Sequence, residues 1–291
     1  MAPMSRREFL LAGAGLAVAA ACGGGDGGGD RGGTSAGTDT TGGESASKKN
    51  AFNLVVASFV HVAGIDQRLT VALLNAEQTG PVALDAPVAL TIDGQAVESE
   101  RHDDGTPLPY LLVRHRFEQP GIVTVGATYE GATGEAQLRV QDPAKTLVPF
   151  PGKPMVSAPS PTPANPLGVD PICTRDPACP LHDVSLDAAL AEKRPLAVLF
   201  STPARCQSRL CGPVLDTLLD QQDAFADRVR FVHVEIFAAR TGNALSPTVK
   251  AYNLEAEPVL FLAGADGVVR ERLDNAFDRR EARAALERLV A

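Results

Sequence analysis

From Phe52 to about Val140 apolar residues return at every second position. Leu111, Val113 and Phe117 interleave with Leu112, Arg114 and Arg116. Val123, Val125, Ala127 and Tyr129 interleave with Thr124, Gly126 and Thr128, and Ala136, Leu138 and Val140 with Glu135, Gln137 and Arg139. A repeat of two marks strands that bury one face. Turn chemistry at Asp93-Gly94, Asp104-Gly105 and Pro120-Gly121 punctuates the run, and no helical period of useful length interrupts it. The pattern predicts roughly six or seven short strands in a small antiparallel sandwich.

Past Leu186 the period changes. Leu196-Ala-Val-Leu-Phe200 is a continuous apolar run of strand length, and Val214, Leu218 and Phe225 recur at about helical spacing. Phe231 to Phe237 and Pro258 to Leu262 read as two further strands. Ala265-Asp266-Gly267 then turns the chain into Val268-Val269-Arg270, and Ala282, Ala285, Leu286 and Leu289 form the apolar stripe of a closing helix. The order β-α-β-α-β-β-α predicts a parallel core buried on both faces, with an antiparallel edge.

Two breaks in composition separate these regions. Eleven glycines fall between Gly23 and Gly43, and eleven prolines between Pro143 and Pro180. The first stretch cannot bury enough apolar surface to offset its ordering entropy, so residues 22–49 are expected as a disordered tether reaching about 30 Å. The second cannot run a helix or an interior strand, so residues 143–182 are expected as an extended, semi-rigid linker. The chain then divides into a signal segment 1–21, the tether, a β-sandwich 50–142, the linker and an α/β domain 183–291. The sandwich pattern is similar to the immunoglobulin fold, although the chain has no Trp and no cysteine pair there to bridge two sheets. Its histidines, His61, His102 and His115, have no spacing that makes a ligand set. A spacer or docking role is expected of it. With 27 Lys+Arg against 35 Asp+Glu the net charge is -8, which excludes nucleic acid as an expected partner.

The first residues read as an address. Ser5-Arg6-Arg7-Glu8-Phe9-Leu10 precedes a 13-residue apolar stretch, Phe9 to Ala21, too short for a stable transmembrane helix and proportioned like a signal h-region. These residues resemble a twin-arginine export signal, and Ala19-Ala20-Ala21-Cys22 resembles a bacterial lipobox. The resemblance implies that Cys22 becomes a lipid anchor on the extracytoplasmic face of the cell membrane. An acidic chain gains nothing from anionic headgroups, so contact with the membrane is expected through acyl chains alone.

Five cysteines less Cys22 leave two close pairs, Cys173 with Cys179 and Cys206 with Cys211. An exported chain meets conditions in which disulfides persist, and an even count suits two bridges. Local pairing closes the shortest loops at the least entropic cost. A structural disulfide between Cys173 and Cys179 would knot the linker against the next domain. The alternative is a metal site made of Cys173, Cys179 and His182, since thiolate and imidazole both suit zinc or copper.

A strand ending in Phe200-Ser-Thr-Pro-Ala-Arg205, a cysteine pair at the head of a helix, Pro213-Val-Leu-Asp216 within it, and a proline at Glu257-Pro258-Val259 together resemble the thioredoxin superfamily over residues 183–291. The resemblance implies that Cys206 attacks a substrate disulfide, that Cys211 resolves the mixed intermediate, and that Pro258 is cis and lines the substrate groove, offering edge pairing to an extended peptide. The residues carry their own argument. A thiolate at a helix N-terminus is stabilised by the macrodipole and unpaired N–H groups, and Arg205 and Arg209 bracket Cys206. Five residues apart in one regular helix, two Cα atoms would stand about 8.6 Å apart, beyond the ~7 Å limit for a bridge. Cys206 must then lie outside the helix, with Gly212-Pro213 marking its first turn. The chain departs from the family in placing four residues between the cysteines, Arg205 where Trp is usual, and Leu199 where a buried acid is usual.

The resemblances together imply a membrane-anchored, extracytoplasmic thiol–disulfide oxidoreductase acting on the thiols or disulfides of exported proteins, with no cofactor and no metal. Two alternatives stay open. One is a non-catalytic binding or scaffold lipoprotein with structural disulfides. The other is a copper-handling protein that uses the cysteine pair and His233.

Overall fold

The computed structural model describes residues 51–291. The export segment, Cys22 and the tether lie outside the described residues. Nine strands come first: β1 (Phe52–Val56), β2 (His61–Val62), β3 (Asp66–Asn75), β4 (Ala89–Ile92), β5 (Gln95–Val97), β6 (Glu100–His102), β7 (Tyr110–Arg116), β8 (Gly121–Tyr129) and β9 (Ala132–Gln141). They form a four-stranded sheet, β1-β3-β7-β6, and a five-stranded sheet, β2-β9-β8-β4-β5. There are more strands than the pattern predicts because β2, β5 and β6 are only two or three residues long, too short for alternation to register. All these pairings are antiparallel except β2 with β9, which is parallel. Leu69, Val71 and Leu73 of one sheet and Val123, Val125, Leu138 and Val140 of the other share one core. Asp93-Gly94 joins β4 to β5 with φ of 46° and 77°, and Glu130-Gly131 joins β8 to β9 with 48° and 77°, the left-handed pairs that tight hairpins need.

The remaining elements are α1 (Leu186–Ala191), β10 (Leu196–Ser201), α2 (Cys211–Phe225), β11 (Arg230–Glu235), α3 (Pro247–Ala251), β12 (Val259–Ala263), β13 (Val269–Asp274) and α4 (Arg279–Val290). The sheet order is β11-β10-β12-β13. Only β10 and β11 are parallel; β12 runs antiparallel to both β10 and β13, so the expected parallel core is reduced to one pair. A parallel crossover needs a helix that travels back along the strands, and the five residues of α3 span only about 8 Å. Strand parity sorts the side chains. Ala197 and Leu199 face α2 and α4, meeting Val214, Leu215, Leu218, Ala282 and Leu286. Leu196, Val198 and Phe200 face the opposite way, toward Leu186, Val249 and Tyr252.

The Pro-rich segment is stitched to this sheet instead of travelling free. Its prolines give no N–H, but the residues between them do. Gly152 N donates to Val269 O at 2.9 Å, Val269 N to Lys153 O at 2.8 Å and Met155 N to Gly267 O at 2.8 Å. Further along, Asp170 N donates to Ala238 O at 2.9 Å. Met155 and Val169 are buried by this contact.

Residues 51–291 therefore belong to one compact unit. The outer face of the β3–β7 sheet, where solvent is usual, is covered by the α/β portion. Tyr110 and Leu112 of β7 pack with Leu210 and Ala276. Arg68 of β3 forms a buried ion pair with Glu281 of α4 at 2.6 Å, and Tyr110 Oη donates to the same carboxylate. His102 Nδ1 lies 2.9 Å from Asp278 Oδ1, which also caps α4 through Glu281 N. Burial opposes ionisation of Glu281, but the charge and hydrogen bonds of Arg68, with the Tyr110 hydroxyl, hold its carboxyl below the usual range. No helix among the described residues is long and apolar enough to cross a membrane.

Candidate functional site

Two sulfur pairs gather where β10 and β11 end. The chain leaves β10 at Ser201, passes through residues 202–210 and enters α2 at Cys211. Cys206 and Cys211 are joined by a disulfide with Cα atoms 5.8 Å apart, so Cys206 lies outside the helix as the spacing requires. Leu210 occupies the N-cap of α2 and has no side chain that can cap it. The Cys206 sulfur takes that place, accepting the Cys211 N–H at 3.1 Å. Cys206 is half-buried and Cys211 fully buried. On reduction, a thiolate on Cys206 would face the positive end of a 15-residue helix with no acidic residue in its first turn.

The surroundings differ from expectation in three respects. Arg205 does not turn its charge on Cys206: its guanidinium stacks over the Phe237 ring at 4.0 Å and donates to Ala239 O and Gly242 O. Pro258 follows a cis peptide bond and lies beside the end of β10, since Val259 pairs with Phe200. Pro258 is itself buried, and its carbonyl accepts from Asn275 N at 2.8 Å, which leaves one of its two lone pairs for any edge pairing. Leu199 is buried in the core beneath the site, opposite His233 in register. The buried carboxylate in this neighbourhood is Glu235 at the end of β11, which Thr174 holds through its N–H at 2.9 Å and its hydroxyl at 2.8 Å.

The second pair corrects the expected structural disulfide. Cys173 and Cys179 are both free, with sulfurs 3.8 Å apart, almost twice the length of a bond between them. The two sulfurs touch directly, and a pair of imidazoles lies beside them. His233 Nδ1 lies 3.8 Å from Cys173 Sγ and 3.4 Å from Cys179 Sγ, and His182 Nε2 lies 3.0 Å from His233 Nδ1. All four residues are buried, and their ligand atoms lie within 4.8 Å of one another. The bond shared with Cys179, and behind it the two histidines, hold the Cys173 thiol far below its ordinary range against the effect of burial. The same shared bond, together with burial, pushes Cys179 up.

Strand parity accounts for His233. Phe231 and Leu199 face the α2 side of the sheet, so His233 and Ser201, two residues on in each strand, face it too. The segment 170–182 folds over that side. His233 N donates to Leu181 O at 2.9 Å, Arg175 pairs with Asp216 of α2 at 2.9 Å, and Ala204 N donates to Thr174 Oγ1 at 3.2 Å. His233 therefore joins Cys173, Cys179 and His182. Its membership could have been read from the alternation of β11, but nothing in the sequence pattern says that the Pro-rich segment returns to cover that strand. The histidines of the β portion make no ligand set: His61 bonds Ser58 Oγ at 2.8 Å, His102 serves Asp278, and His115 packs edge-on against Phe117.

No protein-family model matches the chain, and no curated protein matches it. Among solved structures, it is similar to a thiol:disulfide interchange protein of the thioredoxin family from Chlorobium tepidum, with a TM-score of 0.34 at 16% identity, over 48% of this chain and 97% of that one. A second similarity is to the filamin domain of Lin-41, with a TM-score of 0.23 at 15% identity, over 32% of this chain and 93% of that domain.

Proposed function

We propose that the chain is an extracytoplasmic thiol–disulfide oxidoreductase, with an immunoglobulin-like β-sandwich and a thioredoxin-like α/β domain, working through Cys206 and Cys211 on exported proteins. The observation that carries this is the bonded pair at the mouth of α2, with the half-buried sulfur of Cys206 outside the helix and that of Cys211 sealed behind it. In the reducing direction, the Cys206 thiolate attacks one sulfur of a client disulfide, the other client sulfur leaves as a thiolate, and a mixed disulfide forms. Cys211, deprotonated, then attacks Cys206 Sγ, releasing the second client thiol and restoring the internal disulfide. The oxidising direction is the reverse. The order of the residues follows from access, since only Cys206 can be reached by a client.

The expected reduction potential lies above about -300 mV, in equilibrium with dithiothreitol or glutathione. Cys206→Ser should abolish turnover of a test disulfide, while Cys211→Ser should accumulate the mixed disulfide. Resistance to reduction, or turnover that persists in Cys206→Ser, would remove the assignment. The export and anchoring roles of Arg6, Arg7 and Cys22 belong to the same proposal. They are tested by palmitate labelling of the full chain, which Cys22→Ser should abolish.

A second reading is a binding or scaffold lipoprotein in which Cys206–Cys211 is a structural bridge. It is favoured by Leu210, which neighbours Cys211 and is packed beneath Tyr110 and Leu112 of the β portion. A bridge that survives millimolar dithiothreitol in the folded protein would select it.

A further inference from the structure

We infer that Cys173, Cys179, His182 and His233 form a zinc site, separate from the Cys206–Cys211 pair, that clamps the Pro-rich segment to β11. A tetrahedron with Zn–S of about 2.3 Å and Zn–N of about 2.05 Å has edges of about 3.8 Å between sulfurs, about 3.6 Å between sulfur and nitrogen and about 3.3 Å between nitrogens. The sulfurs stand 3.8 Å apart, His233 Nδ1 is 3.8 and 3.4 Å from them, and the two ring nitrogens are 3.0 Å apart. The edges from His182 to the sulfurs are no longer than 4.8 Å, so closing the tetrahedron takes a shift of about an ångström in one ring.

The protein also orients one of the two imidazoles, while His182 Nδ1 is buried without a hydrogen-bond partner. His233 Nε2 lies 2.8 Å from Ser201 Oγ and 3.3 Å from Ser201 O. A carbonyl can only accept, so the ring proton belongs on Nε2 and the lone pair of Nδ1 points at the sulfurs, the arrangement by which an outer partner fixes a metal-bound histidine. Two thiolates balance the charge of a divalent ion, which suits a site whose four residues are buried. Two sulfurs and two imidazole nitrogens, with all four positions filled by protein, are the donor set of a closed structural zinc site and leave no place for a substrate. The consequence reaches the other pair. Fixing Cys173 fixes Thr174, whose hydroxyl accepts from Ala204 N, two residues ahead of Cys206.

The full chain carrying Cys22→Ser, Cys206→Ser and Cys211→Ser has only the two thiols in question. Purified under reducing, anaerobic conditions, loaded with zinc and passed over a chelating resin, it should retain about one zinc per chain by elemental analysis. Cobalt(II) in place of zinc should give the intense visible bands of a tetrahedral ion with two thiolate ligands. In the same background His182→Ala and Cys179→Ser should each lower zinc affinity at least about tenfold. The cobalt spectrum keeps the proposal testable if either variant fails to fold. Retention of less than about a tenth of an equivalent with both thiols open to alkylation, an octahedral cobalt spectrum, a Cys173–Cys179 disulfide in chain folded with zinc, or copper(I) held in preference to zinc would each overturn it.

Discussion

Replacing Arg68 by methionine tests what joins the β and α/β portions. The side chains of Arg68 and Glu281 are 3% and 2% exposed. The guanidinium donates to Glu281 Oε1 at 2.6 Å, to Oε2 at 2.9 Å, to Asp274 O at 2.8 Å and to Ala276 O. Methionine keeps most of the apolar stem, so the packing loss is small. What remains is a buried carboxylate whose other partner is the Tyr110 hydroxyl, and two carbonyls without their donor. Removing one member of a buried pair costs about 3–5 kcal/mol, which in a protein of this size lowers Tm by about 10 °C. The double variant Arg68→Met/Glu281→Leu leaves no orphaned charge and should return to within about 2 kcal/mol of the native chain. The dependence on pH gives a second signature. In the native protein the Glu281 carboxyl is held below its ordinary value, so its contribution is present above the unfolded pKa of about 4.3 and is lost as pH falls through the folded value. Without Arg68, burial acts unopposed by the cation and the carboxyl takes up a proton at higher pH. The penalty of the single variant should therefore be largest at neutral pH and shrink toward pH 5. Urea melts of the full chain at several pH values measure both effects. A single variant within 1 kcal/mol of native at neutral pH, or a penalty that does not change with pH, would refute the assignment.

His61 is pulled down to about 4 by burial, with Arg272 assisting and Asp274 opposing. Between that value and about 6.5 the unfolded chain binds a proton that the fold rejects, so stability should fall by up to about 3 kcal/mol as pH drops through this window, and His61→Gln should flatten the fall in chemical denaturation curves. Asp278 caps α4 at 2.7 Å and accepts from Asp104 N at 3.2 Å, so Asp278→Ala should cost about 2 kcal/mol, read as a lower urea midpoint; an unchanged midpoint would deny the cap its role. Thr174→Val removes the acceptor for Ala204 N and a donor to Glu235. It should cost about 1–2 kcal/mol and speed reduction of Cys206–Cys211 by dithiothreitol, measured by thiol alkylation over time; equal rates would uncouple the two loops.

Legibility in the sequence followed the range of the force that decides each feature. Local rules decide hairpins and helix stripes, and Asp93-Gly94, Ala265-Asp266-Gly267 and the face of α4 were readable from a few neighbouring residues. The exclusion of Cys206 from α2 was readable because helix rise and sulfur geometry leave no alternative. Tertiary decisions were not. Leu112 read as the outward partner of Leu111 and Val113, yet it is buried because the α/β portion covers that face. Arg68 and Glu281 meet across 213 residues, and neither has a neighbour in sequence that announces the other. The Pro-rich segment was legible as neither helix nor strand, but its few N–H groups proved sufficient to bind it to the edge of β13. His233 shows both sides of this limit, since alternation fixes its face and only the return of residues 170–182 gives that face a chemistry.

The buried face of β3 and β7 also changes what the β portion can be. A spacer holds its partner at a distance and keeps a polar outer surface. Here that surface carries a charge that Glu281 of α4 pairs with, and an apolar pair that Leu210 and Ala276 help to cover. Separating the two portions would expose Tyr110 and Leu112 to water and strand Arg68, Glu281 and Asp278 at once, so hinge motion between them is opposed by several kcal/mol. Leu210 stands immediately before the first residue of α2 and is one of the residues so held. The β portion thus packs directly against the residue before the helix that bears Cys211, while Thr174, next to Cys173, holds the same loop at its other end through Ala204 N. The loop carrying Cys206 is thus held at both ends by contacts remote in sequence.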